Sequence, residues 1–427
     1  LTYLDILENN IPNDPRKLRV LNPYWDNIHT TYPITLNGSI LEPPTFSMEA
    51  GFYPEPFSLT LSTDQKDGVL YYTLDGSLPT KESQEYESPI PIRSQPFNSI
   101  ETFQATVIRA KVFEKDGFDA SPTITKTYFV GPASKTTFEL PILSLVTDPD
   151  NLYSYEMGLF TSAHFKQRGK KYERSLELEF FTADGQKTYA SNLLFRLHGQ
   201  VSRNHAQKSL RLYAENNYGQ QEIMDYPFFP GLTGTGTGDP VNQFETLILR
   251  NAGNDWRHAF LRDALIHKLV EHTTLDTQAY QPVNVFLNGQ YWGLLNMRER
   301  LDEFYIQNHY GIDPENLLYY EVSSQNDFYK QDPESNEFLS LLDTIKHGNY
   351  TEEELYAFLE QEFDIQNFFD NHITYLYTNN GDWLNNNMKF WKMDTNQADP
   401  NAPYGQDGKW RWMINDMDFG FRDFSSD

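Results

Sequence analysis

Cysteine is absent from the 427-residue chain. Disulfides therefore cannot hold the fold together, and no thiolate can act as a nucleophile or a zinc ligand. The histidines lack the H-E-x-x-H spacing of a zinc site, and the G-x-S-x-G turn of esterases does not occur. No run of about 18 apolar residues exists, so the sequence predicts no membrane-spanning helix.

Positive charge is scarce. The chain has 34 basic residues against 60 acidic ones, which gives a net charge of −26. This charge repels nucleic acid and anionic membrane surfaces, so we expect no nucleic-acid partner and favour a basic partner. Hydrophobic residues make up 39% of the chain, which is enough to fill the cores of two or three domains at this length.

Two segments precede the larger part of the chain. Residues 1–42 are polar and rich in proline and asparagine, with an aromatic pair at Tyr24 and Trp25, and we interpret them as a lead-in that packs on a neighbouring element. Residues 43–132 alternate in short runs such as FSLTLS, VLYYTL, TVIRAKVF and TITKTYFV, separated by turn-forming clusters. That pattern predicts a β-sandwich. It concentrates no titratable groups, so a rigid spacer without a ligand is the simplest interpretation.

Residues 138–427 begin with strands. LPILSLV and SLELEFF read as strands, and FRLHGQVSRNHAQKSLRLY reads as a β-hairpin. Alternating apolar residues before Asn288-Gly289 predict a second hairpin with a tight turn. Between the two hairpins, Leu261, Leu265 and Leu269 fall on one face of a predicted helix.

Helices follow these strands. Thr351 and Glu354 form a capping-box pattern at the start of one helix. A second helix ends at Asn379-Asn380-Gly381, and its predicted apolar stripe consists of Ile365, Phe368, Phe369, Ile373 and Leu376. A β-rich region, then helices, then acidic motifs is the order that a protein kinase uses.

Two acidic motifs carry the strongest chemical signal. Asp382 and Asn387, in GDWLNNNMKFW, have the spacing of the kinase catalytic loop, where Asp orients or deprotonates the acceptor hydroxyl and Asn holds magnesium. Asn386 is the alternative if the alignment shifts by one residue. Asp416 and Asp418, in WMINDMDFGF, supply hard carboxylate oxygens that suit magnesium. Either motif alone is typical of turns and caps.

Phosphate-binding candidates lie in the first hairpin. Gly199, Ser202 and Arg203 sit at a turn whose backbone N–H groups could cover phosphates, and Lys208 is predicted on the returning strand. Taken alone, this pattern is that of an ordinary hairpin. The GTGTG run at 234–238 lacks a following Lys-Ser or Lys-Thr, so we interpret it as a flexible loop.

Other charged residues leave alternatives open. Arg250, Asp255 and Arg262 either brace the nucleotide or form an ion-paired helix start capped by Asp255. Glu299 either pairs with Lys208, as in a kinase lysine–glutamate bridge, or faces the nucleotide edge. The usual pairing glutamate of a kinase would come from the helix in which the early acidic residue is Asp263.

Most of residues 138–427 resembles the CotH kinase family, the atypical kinases similar to spore coat protein H. The resemblance rests on LPILSLVTDPDNLY, FRLHGQVSRNHAQKSLRLY, LRNAGNDWRHAFLRDALIHKL, NVFLNGQYWGLLNMRERLDEFY and the two acidic motifs. It implies an α+β multidomain chain in which a small β-sandwich precedes a diverged two-lobed protein-kinase-like domain. It also implies magnesium-dependent transfer of the ATP γ-phosphate to a Ser or Thr hydroxyl of a protein.

With this resemblance, we assign three sets of site residues. Asp382 is the catalytic residue. The predicted magnesium ligands are Asn387, Asp416 and Asp418. The predicted nucleotide-binding residues are Gly199, Ser202, Arg203, Lys208, Glu299 and Arg262.

Residues 43–132 resemble the chitobiase/β-hexosaminidase C-terminal-type domain through GFYPEPFSLTLS, YYTLDGSLPT, ATVIRAKVF and TKTYFV. We expect a bacterial protein that is secreted or associated with the cell surface, with a protein substrate and a cell-wall or surface glycan as candidate partners. A kinase-like domain needs further helices after Asp427, so we expect its C-terminal part to be missing from this chain.

Two alternatives stay open, and a third is disfavoured. Exported compartments usually lack abundant ATP, which favours a degenerate kinase-like domain in a glycan-binding or adhesion protein. Asp416 and Asp418 could instead bind calcium structurally. Paired carboxylates also suit a glycosidase, but such an enzyme needs neither Asn387 nor Lys208.

Overall fold

The computed structural model describes residues 41–97, 102–117, 119–131, 138–214, 216–217, 220–221, 223–323, 328, 336–383, 386–395 and 399–422. The fold is rich in β-strands and has few helices. Within these ranges no helix is long and apolar enough to cross a membrane. The predicted lead-in, with Tyr24 and Trp25, lies outside the described residues apart from its last two positions.

The described residues before position 132 form eleven short strands. They are β1 (Thr45–Phe46), β2 (Gly51–Tyr53), β3 (Phe57–Leu59), β4 (Leu61–Ser62), β5 (Gly68–Thr73), β6 (Gln84–Glu85), β7 (Ile90–Ile92), β8 (Gln95–Phe97), β9 (Thr102–Gln104), β10 (Thr106–Glu114) and β11 (Ile124–Val130). A five-stranded sheet has the order β2-β11-β10-β5-β6, and the pairs β1-β4, β3-β7 and β8-β9 accompany it. Leu59, Ile92, Ile108 and Tyr128 are fully buried in the core of this region. The predicted β-sandwich-like region is therefore confirmed.

The rest of the chain mixes strands and helices. Its strands are β12 (Ile142–Val146), β13 (Arg174–Phe181), β14 (Lys187–Leu197), β15 (Leu210–Ala214), β16 (Asn216–Asn217), β17 (Gln220–Gln221), β18 (Met224–Asp225), β19 (Gln243–Phe244), β20 (Thr246–Arg250), β21 (Tyr280–Leu287), β22 (Gln290–Glu299), β23 (Leu317–Val322), β24 (Met388–Met393) and β25 (Arg411–Met413). Its α-helices are α1 (Pro149–Tyr153), α2 (Arg262–Val270), α3 (Glu303–Tyr310), α4 (Glu337–His347), α5 (Glu352–Glu362) and α6 (Ile365–Tyr377). Short 3₁₀ turns occupy Lys170–Tyr172, Val201–Asn204, Gly253–Asp255 and Pro314–Asn316.

The described residues divide into two compact units. The first contains those up to Leu197, with those in 213–222 and 283–294. The second contains those in 198–212, in 223–282 and from Leu295 onward. All the predicted site residues belong to the second unit.

In the first unit, the sandwich shares an aromatic core with the strands that follow it. The ring of Phe129 stacks on Phe52 at 4.5 Å and meets Phe181 and Phe286 edge-on at 5.3 and 5.0 Å. Thr127 N also donates to Glu179 Oε2 at 2.9 Å. The predicted boundaries at 132 and 138 stay a prediction, but contacts of the sandwich continue past them.

Phe129→Ala is therefore expected to destabilise more than the sandwich. Removing a fully buried phenylalanine from a packed core costs about 3–5 kcal/mol. We expect this loss in the free energy of unfolding measured in denaturant, with Tyr155→Ala, at a highly exposed ring, as the control that changes little. An equally small change in both variants would mean that the shared aromatic core contributes no stability.

In the second unit, β20 pairs antiparallel with β22, with Leu247 opposite Glu299. Strands β23, β24 and β25 form an antiparallel sheet. Phe338, Phe390 and Trp410 pack at one side of this sheet together with residues of α5 and α6. The acidic motifs come directly after α6 and β25, as predicted.

Much of the predicted apolar face is exposed in two helices. Leu261, just before α2, and Leu265 and Leu269 within it are 46%, 41% and 50% exposed, while Asp263 and His267 are buried. Polar partners decide this orientation, because Asp263 accepts a hydrogen bond from Met417 N at 2.8 Å and pairs with Arg298.

Helix α6 shows the same effect. Phe369, Ile373 and Leu376 are exposed, while Asn367 and Tyr375 are buried. The carboxamide of Asn367 bonds the backbone of Thr274 and Trp412, and the Tyr375 hydroxyl donates to Asn415 O at 2.9 Å. The hydrogen bonds therefore select the buried face of this helix.

Candidate functional site

The first acidic motif is a tight loop after α6. Asn379 has a positive φ of 51°, and Asn380 Oδ1 accepts a hydrogen bond from Asp382 N at 3.0 Å. Asn380 Nδ2 reaches the second motif, where it donates to Asp416 O at 3.4 Å. Asn380 therefore connects the two motifs.

The Asp382 carboxylate is held by the two amides considered from the sequence. Asn387 Nδ2 donates to Asp382 Oδ2 at 2.8 Å, and Asn386 Nδ2 lies 2.9 Å from both carboxylate oxygens. Asn387 has a positive φ of 62°, and its carbonyl oxygen accepts from Asn415 Nδ2 at 3.3 Å. Both asparagines contact Asp382, so this geometry leaves the choice between them open.

Asp416 and Asp418 converge on one guanidinium group. Arg250 Nη2 donates to Asp418 Oδ2 at 2.9 Å and also to Asp416 Oδ1. Asn254 N donates to Asp418 Oδ2 at 2.7 Å. Gly253 has a φ of 60°, and a side chain there would collide with Asp418 Oδ2, so this turn requires glycine.

The pKa values reflect this crowding. Burial and the neighbouring Asp416 carboxylate raise the pKa of Asp418 to about 7, although Arg250 and the Asn254 N–H oppose the shift. Burial disfavours the charge on Arg250, but the carboxylates of Asp416, Asp263 and Asp418 outweigh it and hold the Arg250 pKa well above its ordinary value. The Arg250 guanidinium supplies positive charge between these two carboxylates.

A buried ion pair between Arg298 and Asp263 contacts the backbone of the second motif. Arg298 bonds Asp263, and Asp263 Oδ1 accepts from Met417 N, which lies between the two aspartates. Burial would raise the pKa of Asp263, but Arg298 and Arg250 outweigh it, so that pKa is far below its usual range. The early acid of α2 thus holds the acidic loop, and this role had no signal in the sequence.

His267 beside this ion pair gives the fold a pH dependence. Burial and the Arg298 guanidinium lower the pKa of His267 to about 3, with Asp263 opposing and Arg250 adding to the shift. Its Nδ1 accepts from Gln278 N at 3.0 Å, which requires the neutral ring. Between about pH 6.5 and pH 3 the unfolded chain binds a proton here that the folded chain does not, so stability falls as the pH falls through this window.

We expect a slope of up to about 1.4 kcal/mol per pH unit from this histidine in the free energy of unfolding. His267→Gln, which keeps an acceptor, should remove that part of the slope. His347→Gln, at an exposed histidine at the end of α4, is the control for loss of an imidazole. Equal slopes in wild type and His267→Gln would contradict this assignment.

The first hairpin forms with its turn as a 3₁₀ segment. Gly199 has a φ of 93°, and a side chain there would collide with Ser202 Oγ. Arg203 is buried, and its Nε donates to Gly199 O at 2.6 Å. Lys208 lies before the strand, which begins at Leu210, so its predicted place on the strand is wrong.

Lys208 closes this turn. Its Nζ donates to Arg203 O and His205 O, both at 2.7 Å, and burial lowers its pKa. A lysine that satisfies two turn carbonyls must lie over the turn, which explains why it precedes the strand.

The hairpin turn packs on the segment that holds the acidic pair. The ring of His205 stacks on Trp256 at 4.9 Å, and Trp256 Nε1 donates to Gln207 Oε1 at 3.2 Å. Asn251 Nδ2 donates to Gln207 O at 2.6 Å. Since Asn254 of the same segment bonds Asp418, the turn and the acidic loop belong to one connected region.

Three further predicted residues, Asp255, Arg262 and Glu299, interact with other groups of the protein. Asp255 accepts hydrogen bonds from Ala259 N and Arg262 N, both at 3.1 Å, and its Oδ1 lies 3.4 Å from Arg262 Nε. These contacts match the alternative in which Asp255 caps an ion-paired helix start. Glu299 pairs with His309 Nε2 at 3.1 Å instead of Lys208. Their assignment to the nucleotide stays a prediction.

The GTGTG run forms a loop, as interpreted. Its backbone amides are directed to protein carbonyls: Gly234 N to Asp239 O, Gly238 N to Gly234 O, and Gly236 N to His309 O, each at 2.8 Å. These amides are therefore engaged within the protein, which agrees with the rejection of a phosphate-binding loop.

Comparison with known protein families shows which family the chain belongs to. The model of the CotH kinase protein family matches residues 195–427, more than half of the chain. The chain belongs to the CotH kinase family. This CotH region starts within the first hairpin, after the predicted start at residue 138, and it contains every predicted site residue. The model of the chitobiase/beta-hexosaminidase C-terminal domain matches residues 48–125, which confirms the predicted type of the sandwich. Among curated proteins, no match was found.

Proposed function

We propose that the CotH region transfers the γ-phosphate of ATP to a Ser or Thr hydroxyl of a protein, with magnesium, on a diverged two-lobed kinase-like fold. The observation that carries this proposal is the junction of the two acidic motifs. Asn380 bonds Asp416, and Asn415 bonds Asn387, so the Asp382 loop and the Asp416–Asp418 loop lie side by side. A phosphotransferase needs a hydroxyl-orienting carboxylate beside metal ligands.

The donor set fits magnesium. Asp416 and Asp418 supply carboxylate oxygens, and Asn387, which donates through Nδ2 to Asp382, has an amide oxygen for a cation. The Arg250 guanidinium between the two carboxylates is a stand-in that marks a cation position. Asn387, Asp416 and Asp418 would hold the metal, and the metal would neutralise charge on the phosphate oxygens.

The other steps fall to side chains already held in place. Asp382, fixed by two amides, would accept the proton of the acceptor hydroxyl and orient its oxygen. Arg203 and Lys208 would place positive charge and turn amides near phosphates, as in other phosphate-binding turns. Lys208 would contribute this charge while keeping at least one of its two hydrogen bonds to the turn carbonyls.

The acceptor that this chain favours is a basic protein. A net charge of −26 attracts positively charged partners at long range and lowers affinity for acidic ones. The chitobiase-type sandwich supports a bacterial protein that is secreted or associated with the cell surface, where a cell-wall glycan is a further candidate partner.

The test is phosphate incorporation from γ-labelled ATP into the chain itself and into a generic basic protein, with magnesium or with a chelator. We expect incorporation that needs magnesium and is abolished in Lys208→Met. Folding of the variant is checked by circular dichroism, because Lys208 also closes the turn. A wild type that shows neither incorporation nor a thermal shift with magnesium-ATP would remove the kinase proposal.

One observation favours a second candidate, a degenerate domain in a glycan-binding or adhesion protein. Arg250 already pairs with both carboxylates, so the acidic loop has a counter-charge within the protein itself. In that case the melting temperature would respond to neither magnesium nor magnesium-ATP. A strong response to calcium alone would favour the structural-calcium alternative.

A further inference from the structure

An apolar cavity lies in the second unit, and its lining includes neither residue of the acidic pair. It has a volume of about 350 Å³ and is bounded by α4, α5, α6 and the strands β24 and β25. Its wall includes Phe363, Phe368 and Trp383, and its lining is apolar except for Asn371 and His372. Ligand sites in proteins combine such an apolar lining with a few placed polar groups.

The cavity favours an uncharged occupant. Among the described residues, its lining contains no Lys, Arg, Asp or Glu. Burial lowers the pKa of His372, so this ring is neutral at physiological pH. An ion would lose its hydration without gaining a partner charge here, which is costly.

Asn371 is the polar group with an unused donor. Its side chain is buried, at 2% exposure, and among the described residues its Nδ2 has no hydrogen-bond partner. Asn367, one turn earlier on α6, shows the usual arrangement. There Nδ2 donates to Thr274 O at 3.0 Å and to Trp412 O at 3.2 Å, and Oδ1 accepts from Trp412 N. Buried amides are rarely left unpaired, because the desolvation cost is then not offset.

We propose that this cavity binds a neutral, largely apolar molecule with one hydrogen-bond acceptor, such as a ketone or an ester, that accepts from Asn371 Nδ2. At roughly 30 Å³ per water-sized group, the cavity volume suits an occupant of about a dozen non-hydrogen atoms. The site is separate from phosphate transfer and does not depend on it. Because Trp383 follows Asp382 directly, an occupant also contacts the end of the catalytic loop.

A pair of probes of matched size tests the donor. We would titrate the whole chain with 4-phenylbutan-2-one and with pentylbenzene in a calorimeter. The ketone should bind at one site. In Asn371→Leu its affinity should fall about tenfold, the loss expected for one hydrogen bond, while the hydrocarbon binds as well as before.

Stability gives a second readout that needs no ligand. Asn371→Leu removes an unpaired buried amide and should leave the melting temperature unchanged or raise it. Asn367→Leu removes a fully bonded amide of the same helix and should lower it markedly. A large decrease for Asn371→Leu would mean that its amide is already satisfied, which overturns the proposed donor role.

Filling the cavity locates the binding site. Ile345→Trp on α4 places a large ring in the lining and should abolish binding of both probes. Ser340→Trp, at an exposed position of the same helix, should leave binding intact. Binding that persists in Ile345→Trp, or a wild type that gives no saturable heat with either probe, would overturn the proposal.

Discussion

Asp382→Asn is expected to lower the rate of phosphate transfer by about 10²–10⁴-fold, the range for loss of a general base. The carboxamide has nearly the same shape, but it cannot take the proton of the acceptor hydroxyl. Its single oxygen can take the position of Oδ2, which accepts from both Asn386 and Asn387, so the loop should keep its conformation. The measurement is incorporation of labelled phosphate under saturating magnesium-ATP.

Two controls separate chemistry from folding in this experiment. ATP affinity and melting temperature should match those of wild type, since the role proposed for Asp382 lies on the acceptor side of the reaction. Asp343→Asn, at an exposed carboxylate on α4, makes the same chemical change elsewhere and should leave the rate unaltered. Unchanged turnover in folded Asp382→Asn would exclude Asp382 from the mechanism.

Elements with local signals could be predicted from the sequence. Thr351 and Glu354 form the capping box of α5, because all its contacts lie within four residues. Asn288 and Gly289 have positive φ values of 48° and 78°, as a two-residue hairpin turn demands. In both cases the residues that decide the geometry are neighbours in the chain.

The buried faces of α2 and α6 could not be predicted in this way. Hydrophobic spacing favoured Leu265 and Ile373, but partners distant in sequence decide the orientation. Asp263 is held by Met417, and Asn367 by Trp412, so the helices turn their polar residues inward. A periodicity argument counts apolar residues and contains no information on such distant hydrogen bonds.

The candidate site also combines local features with contacts between residues that are distant in sequence. The spacing of five residues singled out Asp382 and Asn387, but it did not predict the hydrogen bond between them. The guanidinium between Asp416 and Asp418 comes from Arg250, at the end of a strand far earlier in the chain. The sequence offered Arg250 only as a residue that braces the nucleotide or a helix, because its carboxylate partners are set by tertiary structure.

Replacing both Asp416 and Asp418 by Asn should abolish the magnesium dependence of ATP binding. The variant loses two carboxylate ligands, so adding magnesium should no longer raise ATP affinity, while affinity without metal changes little. Calorimetric titrations with and without magnesium measure both values. Arg250 also loses its anionic partners, and a buried charge left without its partner costs about 3–5 kcal/mol. Asp416→Asn alone, at the more exposed carboxylate, is therefore the milder variant if the double variant unfolds.

Arg250→Gln supplies the opposite perturbation and decides whether the guanidinium and magnesium share one position. Without a metal, two close carboxylates then lack a counter-charge, so the melting temperature should fall. Millimolar magnesium should restore it, whereas wild type, in which Arg250 already supplies a counter-charge to the pair, should respond far less. Asp399→Asn, at a carboxylate outside the site, should behave as wild type in both titrations. If magnesium fails to rescue Arg250→Gln but calcium succeeds, the carboxylates form a structural calcium site. If neither ion rescues it, Arg250 is a permanent part of the fold and the pair does not bind a metal.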